Sequence, residues 1–185
     1  MTSITPLAIP EVLLITPQRH GDARGWFSET WSRRAFEAAG LDHDFVQDNQ
    51  AFSAKVGTVR GLHFQQAPDA QAKLIRVLKG AIYDVAVDVR PGSPDYGRWV
   101  GATLTAEGGE QLLVPRGFAH GYCTLVPDTE LFYKVDGRYA PETEGGVLWN
   151  DPDLAIDWPV AAADAVLSDK DKILPHLKDM PPARF

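Results

Sequence analysis

The sequence predicts one all-β domain of jelly-roll-like architecture, on three observations. From about residue 45 to residue 150 the chain breaks into short runs rich in Val, Leu, Ile, Tyr, Trp and Thr, punctuated by Gly, Pro and Asp. Many short strands at this spacing make a sandwich or barrel. The 185 residues, 44% of them hydrophobic, suffice to bury one sizeable core without disulfides or structural metals. No internal repeat, low-complexity tract or linker divides the chain, so residues 1–185 are expected to form a single domain.

The elements follow in chain order. Residues 22–29, DARGWFSE, read from their composition as a turn followed by an edge strand. One short helix is expected near the front, with Ser32 as N-cap, the run RRAFEAA, and Gly40 just past its end. The clearest strand runs from Ala81 to Arg90, where Val85, Val87 and Val89 share one face and Asp84, Asp88 and Arg90 the other. Lys79-Gly80 supplies a turn before it, and the Arg90-Pro-Gly-Ser-Pro94 stretch ends it. Further strands are expected at 98–105, 110–114, 120–126 and 130–135, with Gly108-Gly109 reading as one hairpin turn and Pro115-Arg-Gly117 as another. From Asp164 to Phe185 the tail is expected to hold a short helix or loops packed on the barrel.

Charge and composition exclude several classes of function. A formal net charge of -7 argues against nucleic acid, whose phosphates call for a surplus of Lys and Arg over a broad face. Pro6, Pro10, Glu11 and Pro17 interrupt the apolar runs of the N-terminus well short of a membrane span, and the basic region of a signal peptide is missing. Cys123 is the only cysteine, so no disulfide forms within the chain, and a reducing cytoplasm fits. Metal-binding jelly rolls typically use a His-x-His pair with a carboxylate, whereas here no two histidines stand closer than 20 residues apart.

Seven motifs carry a family resemblance: DARGWFSE at 22–29, FVQDN at 45–49, RGLHFQ at 60–65, AKLIRVLKGAIYDVAVDVR at 72–90, VPRGFAHGY at 114–122, YKVDGRYAPE at 133–142 and LSDKD at 167–171. In these, and over nearly its whole length, the chain resembles the dTDP-4-dehydrorhamnose 3,5-epimerase family. The resemblance implies a cupin-type jelly-roll β-barrel, a homodimer, and no metal or organic cofactor. It implies inversion of C3 and C5 of dTDP-4-dehydro-6-deoxy-D-glucose to give dTDP-4-dehydro-L-rhamnose, by removal and return of protons next to the 4-keto group. An epimerase of the same fold that inverts only C3 or only C5 of a related nucleotide sugar is the alternative, because one base and acid serve both. Gln50-Ala51 stands where the family usually has a His-Ser pair, Trp26 fills a slot often held by Phe, and the C-terminal tail is short.

Inversion next to a ketone needs a base for the α-proton, a partner for the enolate oxygen, and an acid for the opposite face. His63 is the candidate base, an imidazole on an expected strand with an ordinary pKa of about 6.5. Tyr133 is the candidate acid; its phenol, with a pKa of about 10, would need a modest downward shift. Lys73 shares parity with Ile75 and Val77, which aims an ammonium along an apolar inward face; holding the enolate oxygen explains it better than packing. Asp171 read alone is part of a solvated charge run, but the resemblance makes it the carboxylate paired with the base. His120 is placed near the sugar or in a network with His63.

The remaining roles come from the resemblance. Arg60 and Arg24 match diphosphate contacts; Glu29, Gln47, Asp48 and Asn49 match polar contacts to the nucleotide; Tyr139 matches a stacking partner for thymine; Glu144 and Lys170 match further contacts. Residues 24–29, Phe27 among them, are implied to reach the pocket of the neighbouring subunit. Strict alternation sets Arg60 and His63 on opposite faces, so if both reach one pocket the strand must bulge or twist nearby, and Gly61 is the residue that would permit it.

Overall fold

Two facing antiparallel sheets form the body of this computed structural model, which describes residues 2–185. The strands are β1 (Ser3–Pro6), β2 (Leu13–Thr16), β3 (His20–Asp22), β4 (Gly25–Phe27), β5 (Gln47–Ser53), β6 (Val59–Gln65), β7 (Lys73–Lys79), β8 (Ala81–Asp88), β9 (Trp99–Thr105), β10 (Gln111–Val114), β11 (Phe118–Thr124), β12 (Thr129–Val135) and β13 (Glu144–Gly146). One sheet has the order β1-β2-β10-β7-β12-β5 and the other β13-β6-β11-β8-β9. The expected all-β jelly roll is present, but its hydrogen bonding runs in two separate sheets and does not close into one barrel.

The main core lies between the sheets. Ile75, Val77, Leu112 and Leu131 of the first sheet pack with Ile82, Ala86, Leu104 and Phe118 of the second, all of them buried. A second apolar layer covers the outer face of the five-stranded sheet, where Val85, Val87 and Val89 meet Leu154, Leu177 and Ala183 of the C-terminal segment. Both faces of β8 are therefore buried, and the alternation in its sequence does not separate core from solvent. Asp84 and Asp88 are fully enclosed. Asp88 is satisfied by the Arg90 guanidinium at 2.5 Å and by Ser93 Oγ, which donates at 2.6 Å, and these bonds shape the turn after the strand.

The helix forms where expected, as α1 (Arg33–Ala38). Ser32 Oγ accepts a hydrogen bond from the Ala35 N–H at 3.3 Å, and Gly40 takes the left-handed backbone conformation that ends the turn, at φ +75°. Phe36 packs with Ile15, Leu74 and Leu113 on the outer face of the six-stranded sheet. The tail forms two 3-10 turns, Asp171–Ile173 and Leu177–Asp179, and no α-helix. The buried Asp151 carboxylate ties it down by accepting the Leu177 N–H at 2.6 Å. No helix among the described residues is long and apolar enough to cross a membrane.

Three expectations are corrected. Gly108-Gly109 and Pro115-Arg-Gly117 are turns but not hairpins, because β9 and β11 lie in one sheet and β10 in the other. Each turn carries the chain across the end of the sandwich, since consecutive strands bury their faces in the same core from opposite sides. Residues 22–29 supply no edge strand to either main sheet; β3 and β4 pair only with each other. That small hairpin leaves Phe27 72% exposed and Trp26 56% exposed.

Candidate active site

The site is built around an irregularity in β6. His63 lies opposite His120 of β11, and Arg60 lies opposite Tyr122, so β6 carries one residue more than its partner over the same stretch. The extra residue is accommodated at Gly61, whose φ of +125° suits only glycine. A Cβ there would lie 2.6 Å from the Gly121 Cα, so the two strands approach through paired glycines. The bulge restores parity between Arg60 and His63, and both line one cavity of about 440 Å³ walled by strands of both sheets. Lys73 and Tyr133 line it from the opposite sheet.

His63 Nε2 lies 2.6 Å from the Asp171 Oδ1. Asp171 is buried at the start of a 3-10 turn and held there by its own N–H, which donates to Ser168 Oγ at 3.1 Å. Burial pushes the Asp171 carboxyl up, but hydrogen bonds from His63, Ser168 and the Gly61 backbone outweigh it and hold the group below the usual carboxylate range. A carboxylate accepting the Nε2 proton fixes the imidazole tautomer and leaves Nδ1 with the lone pair that a base needs.

Lys73 is half-buried on the face it shares with the buried Ile75 and Val77, and its Nζ donates to the His63 carbonyl at 3.3 Å. Burial pushes its pKa down to about 8, with Asp84 and Glu144 opposing the shift. Tyr133 does not have the lowered pKa expected of it. Burial raises its phenol above 10, and the Arg60 charge only partly offsets this. Ile75 and Leu131 share the cavity wall with it and exclude the water that a phenolate needs, so the resting side chain keeps its proton.

His120 also lines the cavity, but its partner is Asp84 and not His63, with Nε2 and Oδ1 2.6 Å apart. Asp84 is the group that sequence reasoning missed. An acid flanked by Ile82 and Ala86 on an inward face needs a buried partner, and that was the available signal. Tyr122 was missed as well, although it shares parity with His120.

A second cavity of about 310 Å³ shares His63, Lys73 and Tyr133 and extends the site towards Gln47, Asn49, Tyr139 and Glu144. Gln47 Nε2 donates to Asn49 Oδ1 at 2.8 Å. Glu144 accepts from the exposed Tyr139 hydroxyl at 3.2 Å and from Lys170 Nζ at 2.6 Å. Asp48 lines neither cavity: strand alternation turns it to the other face of β5, where it pairs with Lys134 at 2.8 Å. Ala51 lines the first cavity, whereas Gln50 faces away and donates to Glu130 at 2.7 Å.

The residues carried on and beside the β3-β4 hairpin stay outside both cavities of this chain. The Arg24 side chain is 90% exposed and pairs with Asp22 at 2.6 Å, and Glu29 accepts from Ser32 Oγ at 2.9 Å. Among the described residues no three His, Cys, Asp or Glu side chains converge into a metal-binding group.

A jelly roll that presents a His–Asp pair, a half-buried lysine and a phenol to one cavity is equipped for proton transfer, the work of an isomerase. The family description dTDP-4-dehydrorhamnose 3,5-epimerase matches residues 6–179. The enzyme of that name from Sinorhizobium fredii is 51% identical over 175 residues, which cover 95% of this chain and 89% of the relative. A crystal structure of the Bacillus anthracis dTDP-4-dehydrorhamnose 3,5-epimerase with TDP and PPi bound is 50% identical with a TM-score of 0.91, covering 95% of this chain and 99% of that one. The Legionella pneumophila dTDP-6-deoxy-D-glucose-3,5-epimerase in complex with dTDP-4-keto-L-rhamnose is 39% identical with a TM-score of 0.94, covering 100% of this chain and 99% of that one. The chain belongs to the dTDP-4-dehydrorhamnose 3,5-epimerase family, and it is an isomerase.

Proposed function

We propose that this protein, as a single cupin-like domain, inverts C3 and C5 of dTDP-4-dehydro-6-deoxy-D-glucose to give dTDP-4-dehydro-L-rhamnose. The observation that carries the reading is the convergence of His63, paired to Asp171, with Lys73 and Tyr133 on one cavity. His63 takes the α-proton at C3 or C5. Electron density moves onto the C4 oxygen, where the Lys73 ammonium stabilises it. Tyr133 delivers its proton to the opposite face of the carbon and becomes a phenolate; His63 then releases the abstracted proton to solvent and the phenolate takes one up, which restores both groups. No redox step occurs, and the Lys73 ammonium supplies the charge that a Lewis-acid metal would bring to the enolate oxygen, so the scheme calls for no metal or organic cofactor. Gln47, Asn49, Tyr139 and Glu144 of the adjoining cavity provide for the nucleotide. Proton NMR of the substrate incubated with the protein in heavy water tests the reading. Deuterium is expected at both C3 and C5; incorporation at one carbon alone would replace it with a mono-epimerase, and none at either would remove epimerisation altogether.

The active unit in this reading is a cytoplasmic homodimer, in which Arg24, Phe27 and Glu29 of each chain serve the neighbour's pocket. Support comes from the hairpin that carries exposed Trp26 and Phe27 and pairs with neither main sheet. Mixing Arg24→Ala chains with His63→Ala chains is therefore expected to restore activity to a fraction of the hybrids, because one pocket of each hybrid carries neither lesion. Demonstrated heterodimers with no recovered activity would show that the pocket is not shared.

A further inference from the structure

We propose that the Tyr122 hydroxyl is a substrate-binding group that donates a hydrogen bond to a sugar oxygen near the junction of sugar and diphosphate. Tyr122 sits on β11, directly opposite Arg60 on β6 and Asp84 on β8. Its ring belongs to the core between the sheets and it is 5% exposed, which explains an aromatic at this position. The core does not explain the hydroxyl. The Tyr122 oxygen is fully buried, makes no hydrogen bond of good geometry, with Ser53 the nearby side chain that faces it, and belongs to a side chain that lines the same cavity as His63, Lys73 and Tyr133. Left unpaired, a buried hydroxyl costs stability that a phenylalanine would avoid.

The neighbours indicate which part of a ligand completes it. Arg60 and Tyr133 both lie close enough to act on the phenol electrostatically, and burial pushes its pKa up to about 12, so it stands ready as a neutral donor. This inference rests on the epimerase reading, in which Arg60 meets the diphosphate and Tyr133 meets the sugar ring. A ligand spanning those two residues passes the Tyr122 hydroxyl where the ring joins the phosphate. The nearby polar groups have other commitments: Ser53 Oγ accepts from Arg60 Nε at 3.4 Å, Arg60 donates to the Phe52 carbonyl at 3.0 Å, and His120 is held by Asp84.

Tyr122→Phe tests this without disturbing the ring. Thermal melting and calorimetric titration with dTDP and with dTDP-glucose are to be compared between this variant and the parent. The free variant is expected to melt no lower than the parent, because an unsatisfied buried hydroxyl has been removed. Its affinity for dTDP-glucose is expected to fall about tenfold, the value of one hydrogen bond, while affinity for dTDP falls less than about threefold. A lower melting temperature with unchanged affinity for both ligands would make the hydroxyl structural and overturn the proposal. So would an equal loss on both ligands, which would move the contact off the sugar. If the parent protein binds neither ligand, the epimerase reading itself fails, an outcome separate from the other two.

Discussion

Replacing His63 with alanine is expected to abolish epimerisation and solvent-deuterium wash-in together, by about 10³-fold or more. Without the imidazole neither α-proton leaves, so no enolate forms at C3 or C5. Tyr133→Phe is expected to behave differently. It removes only the hydroxyl and leaves the ring against Ile75 and Leu131, so the His63–Asp171 pair at 2.6 Å stays intact. His63 still forms the enolate and returns a proton to the face it came from. Exchange with retained configuration should therefore outlast inversion, which is expected to fall about 10²-fold. The measurement is the ratio of deuterium incorporated into unreacted substrate to product formed, followed by NMR. A Tyr133→Phe variant that inverts both carbons at the parental rate would show that the acid is another group, with Tyr139 the next candidate.

Much of this arrangement could be read from local sequence because local rules decide it. Lys73 had to share the face of Ile75 and Val77, and an ammonium on an inward face of aliphatics pointed to a ligand. The conflict between Arg60 and His63 pointed to a bulge or twist near Gly61, and the register shows a bulge, since β6 gains one residue there over its partner. The Ser32 cap of α1 followed from side-chain chemistry alone.

What was not legible depends on distances in space between residues remote in the chain. Asp171 lies 108 residues after His63, and nothing local to the SDKD run distinguishes a buried hydrogen-bonded carboxylate from a solvated one; only family resemblance selected it. The His120–Asp84 pair was hidden for a similar reason: period-two alternation gives the face of a strand but not the strand beside it. The same gap produced the false hairpins at Gly108-Gly109 and Pro115-Arg-Gly117, since a turn within one sheet and a turn between two sheets use the same residues. Asp48 was assigned to the pocket with Gln47 and Asn49 as one motif, although alternation along β5 already separated it from both.

Lys73 should reveal itself through a conflict between stability and activity. Its side chain is half-buried in the cavity wall with a backbone hydrogen bond to the His63 carbonyl, and desolvation depresses its pKa to about 8. Removing a charge from such a place relieves a desolvation cost, so Lys73→Met, which keeps the length of the side chain, is expected to melt at a higher temperature than the parent. The same change takes the charge-assisted partner from the enolate oxygen. By the measure of an oxyanion-hole donor this is worth about 3 kcal/mol, roughly 10²-fold to 10³-fold in kcat. Exchange and inversion should fall in parallel, because both pass through the enolate, in contrast to the split expected for Tyr133→Phe. The pH dependence has a definite sign. The ammonium is the active form, and it is lost as pH rises through its pKa, so kcat/KM of the parent is expected to decline above about pH 8. Tyr133 cannot account for that limb, since burial moves its titration above 10. In Lys73→Arg, where the guanidinium stays charged, the limb should disappear from the accessible range whatever the residual rate. A parental profile that stays flat from pH 7 to pH 10, or a Lys73→Met variant of full activity, would take Lys73 out of the chemistry.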